Sequence, residues 1–265
     1  MQPDRDALLA GILADPDADL PRLVFADWLE ETGHPANCAR AEYIREEIEA
    51  CRVWPPRLSR RKAKVRRDAL KAMFADEWDE FVKGVPEAKS IVALRNRGFV
   101  NIVSISDYQL PLIAKELPGR HPVHALIVNM MTAELDPAAT LPHLPRLKSL
   151  SFSSWRGVSD VNRILTGVSL PHLTGFNASE CLLTDADVVR LVHALRASKS
   201  LDRIETLDLS KNELTDHAAQ TLAAADWSPG FRTLNIDRTR ITNAGREVLF
   251  RRFGFEELRP RLALS

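Results

Sequence analysis

Residues 204–224 read IETLDLSKNELTDHAAQTLAA, and this stretch limits the fold more than any other. Leu207 and Leu209 stand two apart, Asn212 and Leu214 follow, and a short amphipathic run begins after Thr215. Leucines two apart predict a strand with one apolar face. Thr215-Asp216 is a helix-start signal, because a threonine hydroxyl can accept from the first orphan N–H groups of a helix. One strand and one helix cannot close a core alone. The unit therefore requires copies of itself stacked on both sides.

The chain supplies those copies. An apolar residue, with others three and five places later, recurs at Val100/Val103/Ile105, Val123/Leu126/Val128, Leu147/Leu150/Phe152, Leu173/Phe176/Ala178, Ile204/Leu207/Leu209 and Phe231/Leu234/Ile236. Successive copies start 23, 24, 26, 31 and 27 residues apart. The place of Asn212 is taken in turn by Tyr108, Met131, Trp155, Cys181, Asn212 and Thr239. An asparagine both donates and accepts, so it can close the turn after a strand, which Met131 and Trp155 cannot do in the same way. Irregular turns are expected in the early units. Thr184-Asp185, Thr215-Asp216 and Thr242-Asn243 predict helices over about 185–197, 216–225 and 243–253. The pattern LxLxxNxLT resembles the leucine-rich repeat family, and the unit length with helical returns resembles its strongly curved, ribonuclease-inhibitor-like subclass. The resemblance implies an α/β solenoid of about six units over residues 97–265. It would have a parallel sheet on the concave side and helices on the convex side, with Phe250, Phe253, Phe255 and Leu258 closing the far end.

Residues 1–96 predict a small all-α module and a linking helix. Asp4 or Asp6 begins the first helix, whose stripe is Ala7, Leu8, Leu9, Ile12 and Leu13. Asp19 is the expected cap of the second, with Pro21 in its first turn. Leu23, Val24 and Trp28, flanked by Phe25 and Leu29, are expected inward, and Gly33 stops the helix. The third helix runs from about Asn37 to Arg52 with Tyr43, Ile44 and Ile48 inward. The string from Asp19 to Gly33 (DLPRLVFADWLEETG), followed by Ala41-Glu-Tyr-Ile-Arg45, resembles the bacterial repeat-companion domain. That resemblance implies a helical module placed before a repeat array, and it carries no catalytic residue with it.

Charge is unevenly placed. Residues 1–50 hold twelve acids and four bases, a balance of −8, and residues 51–67 hold eight bases and no acid, +8. Two opposed blocks so close predict mutual pairing or a partner for one of them. Within the basic block, Arg57, Arg60, Arg61, Lys62, Lys64, Arg66 and Arg67 form the alternative site, suited to phosphates or another anionic surface. No aromatic interrupts residues 57–67, so stacking on bases is not indicated.

Strand alternation nominates a polar groove on the concave face: Ser149, Ser151 and Ser153; Gly175, Asn177 and Ser179; Thr206, Asp208 and Ser210; Thr233, Asn235 and Asp237. Its partner-binding candidates are Ser151, Ser153, Asn177, Ser179, Thr206, Asp208, Ser210, Thr233, Asn235 and Asp237. Asp208 and Asp237 are expected in register, free to meet a basic partner. Six strands offer about 400–450 Å² of footprint, half of the roughly 800 Å² per partner of a stable interface. The adjoining helical module is thus expected to contribute. The seven histidines are scattered and the three cysteines, Cys38, Cys51 and Cys181, lack metal-ligand spacing. No cofactor or metal is expected, and the cysteines read as reduced thiols in a cytoplasmic protein. No nucleophile, base and oxyanion constellation is visible. The reading is a non-catalytic protein-binding adaptor, with nucleic-acid or anionic-surface binding as the alternative.

Overall fold

A computed structural model describes residues 2–52, 57–78, 82–129, 144–153 and 170–254. The protein is α/β. The nine α-helices among the described residues are α1 (Gln2–Ala14), α2 (Leu20–Glu31), α3 (Pro35–Arg52), α4 (Arg57–Trp78), α5 (Leu110–Ile113), α6 (Leu117–Arg120), α7 (Asp185–Ala197), α8 (Asp216–Ala224) and α9 (Asn243–Phe253). The strands are β1 (Val92–Asn96), β2 (Phe99–Ser106), β3 (Ala125–Asn129), β4 (Ser149–Ser153), β5 (Gly175–Asn177), β6 (Thr206–Asp208) and β7 (Thr233–Asn235), ordered in one sheet as in the chain. Two compact units emerge: residues 1–103 with 115–123, and residues 104–114 with 124–265. The division falls inside β2, seven residues past Asn96.

The first unit is built on helices. Leu9 and Ile12 of α1, Phe25, Ala26 and Leu29 of α2, and Ala41, Ile44 and Ile48 of α3 form one core with Phe99. The inward face of α2 departs from expectation. Arg22, Phe25, Ala26 and Leu29 are buried, whereas Val24 is 44% exposed and Trp28 packs at the margin, its ring 5.7 Å from Phe25. The row 22-25-26-29 wins because small Ala26 permits close approach and the Arg22 guanidinium lies 5.6 Å from the Phe99 ring centre. Asp19 stands at the cap position of α2 but makes no side-chain cap bond. Its backbone is helical rather than extended, and its carboxylate faces Arg97 at 3.4 Å. Gly33, at φ 66°, ends α2 as predicted.

A second cluster joins Ala39, Tyr43 and Trp78. The indole N–H of Trp78 donates to the Ala36 carbonyl at 3.0 Å, which ties α4 to the start of α3. Strand β1 has no counterpart among the expected elements. It is linked to β2 by Arg97-Gly98, both at positive φ (52° and 82°), the signature of a tight two-residue turn. Gly98 is required twice, since a Cβ there would lie 2.2 Å from Ile44 Cγ1.

The spacing of the last five expected copies recurs in strands β3 to β7. Strands β3 to β7 are parallel, and their register sets Leu126, Leu150, Phe176, Leu207 and Leu234 side by side. Each is 5% exposed or less. A fully buried leucine stabilises by about 1.5–3 kcal/mol, so this ladder contributes cohesion at every step of the sheet. Helices α7, α8 and α9 begin at the predicted residues, after Thr184, Thr215 and Thr242. The Thr215 and Thr242 hydroxyls accept from His217 N and Ala244 N, and Asp187 closes a capping box with Thr184. At the far end Trp227 stacks on Phe231 at 4.5 Å, and Phe253 meets Phe231 edge-on at 5.2 Å. Phe250 is half-buried, while Phe255 and Leu258 lie outside the described residues.

Candidate functional site

The alternate strand residues fall into two rows. Ser149, Gly175, Thr206 and Thr233 make one, and Ser151, Asn177, Asp208 and Asn235 the other. Thr206 is exposed; Ser151, Asn177, Asp208, Thr233 and Asn235 are half-buried. The Ser153 side chain lies outside the described residues. A Cβ at Gly175 would approach Thr206 Oγ1 to 3.0 Å, a contact the Thr206 side chain would have to relieve by a few tenths of an ångström.

The second row shapes the turns that follow the strands. Asn177 accepts from Ser179 N at 2.8 Å, Asp208 from Ser210 N at 2.9 Å, and Asn235 from Asp237 N at 3.1 Å. Each side chain folds the backbone two residues ahead into the same turn. Asp208 also accepts from Asn235 Nδ2 at 3.0 Å. Register places Asp208 beside Asn235, so Asp208 and Asp237 are not level on the sheet: Asp237 lies two residues beyond the strand. Ser210, expected to point outward, is buried, while Asp237 is exposed. The sequence signal for this is an Asn or Asp three residues before each corner, at positions 177, 208 and 235.

At each corner a non-glycine residue takes left-handed backbone: Glu180, Lys211 and Arg238, at φ 57°, 57° and 55°. Asn212, next to Lys211, holds the corner from within. It is 4% exposed. Its Oδ1 accepts from Cys181 N and Leu183 N, both at 3.0 Å, and its Nδ2 donates to Ala178, Leu209 and Ser210 carbonyls at 2.8, 2.9 and 3.2 Å. Cys181 and Thr239 substitute weakly, through Sγ to Ser179 O at 3.3 Å and Oγ1 to Ile236 O at 2.8 Å. In the earliest unit buried Asp107 and Gln109 serve the corner instead, accepting from Tyr108 N at 3.0 Å and Ser106 N at 3.3 Å. Met131 and Trp155 lie outside the described residues.

Carboxylates link consecutive helix starts. Asp185 accepts from Thr215 N at 2.8 Å and from its hydroxyl, and Asp216 from Thr242 N at 2.7 Å and Thr242 Oγ1 at 2.6 Å. The two Thr242 bonds hold the Asp216 carboxyl below its ordinary range. Ion pairs Lys211–Glu180, Arg232–Glu205 and Arg240–Glu213 also join neighbouring units, but all are exposed and contribute little.

The basic stretch opens α4. The side chains of Arg57, Arg60, Arg61 and Lys62 lie outside the described residues, and Lys64 is exposed. Arg66 pairs with Glu42, and Arg67 meets Glu47 at 3.0 Å, both less than a fifth exposed. Burial pushes the Glu47 carboxyl upward, against the pull of Arg67. The two described ion pairs thus run to acids of α3, the neighbouring block. Arg45 likewise binds Asp27 and Glu30, each at 2.7 Å.

The three cysteines are free thiols. Among the described residues no three His, Cys, Asp or Glu side chains are grouped to hold a metal, and no helix is long and apolar enough to cross a membrane. Among the described residues His121 is the buried histidine. Its Nδ1 accepts from Val100 N at 3.4 Å, so the imidazole is neutral at that nitrogen. Burial, with Arg40, Arg95, Arg120 and Arg5 around it, lowers its pKa well below the ordinary histidine value.

No protein-family model and no curated relative matches the chain. Among solved structures, the crystal structure of Listeria monocytogenes InlP is similar at 16% identity and a TM-score of 0.31, over 54% of this chain and 44% of that one.

Proposed function

We propose that the protein is a non-catalytic binding adaptor of the leucine-rich repeat type. Its outward strand residues would meet a protein partner, with the helical unit supplying further contact surface. The observation that supports this is the in-register polar row of Thr206 and Thr233 beside exposed Asp237, three positions that carry no turn bond through their side chains. Asn177, Asp208 and Asn235 contribute shape rather than free donors, because their oxygens are engaged in the corners. The footprint expected from the sequence for six strands, about 400–450 Å², is below the roughly 800 Å² per partner of standard interfaces, so a second surface is part of the reading.

The test places a photo-crosslinking residue at Thr206 or Asp237, and as controls at the exposed helix positions Gln220 and Arg196. In extracts of the native cell the strand positions should join one polypeptide reproducibly. Asp237→Arg should weaken that complex several-fold while leaving the melting curve unchanged. Crosslinks from the helix positions alone would refute the strand face. Recovery of RNA or DNA in place of protein would favour the basic stretch instead.

A further inference from the structure

Among the described residues of the second unit, two large apolar side chains stand exposed, Leu112 at 56% and Leu182 at 49%. Leu112 lies on α5 with ordinary helical backbone. Leu182 has φ 55°, in the left-handed region. There a side chain's Cβ crowds the following carbonyl, and glycine or asparagine is the favoured occupant. Leucine at 182 is thus unfavourable twice, in its backbone and in its solvation. We infer, on the reading proposed above, that Leu182 is the apolar anchor of the partner interface and inserts into a leucine-sized apolar socket on the partner protein.

The corner accounts for the backbone but not for the leucine. Cys181 N and Leu183 N both donate to Asn212 Oδ1 at 3.0 Å, and both side chains are 1% exposed. Leu182, between them, is turned outward by that grip. At the same place in the next two units stand Glu213 and Arg240, polar, paired with each other and without positive φ. A half-exposed leucine recovers only part of its burial energy, so the fold gains little from it. An interface would gain more. The strand rows, Ser149 to Thr233 and Ser151 to Asn235, carry no apolar side chain, whereas binding energy concentrates in a few desolvated anchors inside a polar rim. Leu182 shares a line of corners with Asp237. Glu180, two residues before it, pairs with Lys211, whose N–H donates to the Asp237 carbonyl at 2.7 Å. The charges beside it are matched, Glu180 by Lys211 and Glu213 by Arg240, so the socket it fits is apolar rather than charged. The grip of Asn212 also presets the loop, which lowers the ordering cost of binding.

The experiment joins crosslinking to paired substitutions in the full-length protein. A diazirine-bearing residue at 182 should capture, from extracts of the native cell, the same polypeptide as a crosslinker at Thr206, and one at Leu112 should not. The captured polypeptide is then purified and titrated against variants. Leu182→Ala and Leu182→Gly should each bind it about ten-fold more weakly, since both lack the side chain. Their melting midpoints should differ, with the glycine variant the higher, because glycine relieves the left-handed backbone and alanine keeps its strain. Binding that follows the side chain while stability follows the backbone is the expected signature. Circular dichroism checks folding, and Leu182→Asn replaces either variant if it fails. Binding within two-fold of the parent in both variants, while Asp237→Arg still weakens the complex, would overturn the anchor and leave the proposed function standing. Equal weakening by Leu112→Ala would overturn it too. Capture of no polypeptide from either 182 or 206 would remove the anchor and the strand-face reading together.

Discussion

Replacing Asn212 with leucine removes a polar side chain whose capacity is fully used. Oδ1 offers two lone pairs and receives two N–H groups, from Cys181 and Leu183; Nδ2 has two hydrogens and is shared among three carbonyls. That amounts to four hydrogen bonds, all to backbone and all in a side chain 4% exposed. At about 1 kcal/mol net each, the loss is about 4 kcal/mol. Orphaned backbone groups that stay dry would raise the figure, and water entering the corner would lower it. Leucine is close in volume, so a cavity adds little. Asn212→Asp keeps the two accepting contacts but turns a carboxylate toward three carbonyls, and should be at least as damaging. Urea unfolding at pH 7, followed by circular dichroism, should show the midpoint falling with the slope unchanged. A loss below about 1 kcal/mol in Asn212→Leu would mean that the corner is held by the ladder alone and that the side chain is incidental.

Other outcomes follow from the same structure. Leu207→Ala should cost about 2–5 kcal/mol by thermal or urea unfolding, since Leu207 is 1% exposed between Phe176 and Leu234, and Leu207→Asp should abolish cooperative folding of the later units. Gly98→Ala should destabilise the first unit by roughly 2 kcal/mol or more, from left-handed strain plus the clash with Ile44; hydrogen exchange in α3 should report it. His121 gives a pH dependence of definite sign. Its folded pKa lies below the unfolded value of about 6.5, so below that pH the unfolded chain binds the proton and the folded one resists it. Stability should be full above about pH 6.5 and fall as pH is lowered toward 5, with Glu47, raised by burial, opposing the trend at the acid end. His121→Gln should flatten the midpoint-versus-pH curve between 5 and 7; an unaltered slope would remove His121 as its cause.

Much of the second unit was legible because its rules are local. Thr184, Thr215 and Thr242 announce helix starts within three residues of themselves, and the leucine spacing sets strand phase without knowledge of neighbours. What failed depended on contacts distant in sequence. Val24 and Phe25 are equally apolar, and only the arrival of Phe99 and Arg40 decides which one faces the core. Asp19 looks like a cap until Arg97, seventy-eight positions later, supplies a charge. Asp208 and Ser210 look like an outward pair on a strand, yet the strand ends at Asp208 and the chain turns there, so one side chain is consumed by the turn and the other is buried.

The links between units run in opposite directions. Asp185 serves the threonine of the next unit, as Asp216 does, whereas Asn212 serves the corner of the unit before it. Residues 204–230 carry all three parts: an asparagine that looks back, a threonine that receives, and an aspartate that looks forward. Such a segment is compatible with a copy of itself. In a tandem duplication the first Asp216 would meet the second Thr215, and the second Asn212 would close the first corner, where Lys211 and Asn212 occupy the places of Glu180 and Cys181. The array can thus be lengthened at this point by copying, without new residues at the joint. The same duplication made with residues 147–172 would bring neither the threonine nor the asparagine, and its seam would have to be improvised.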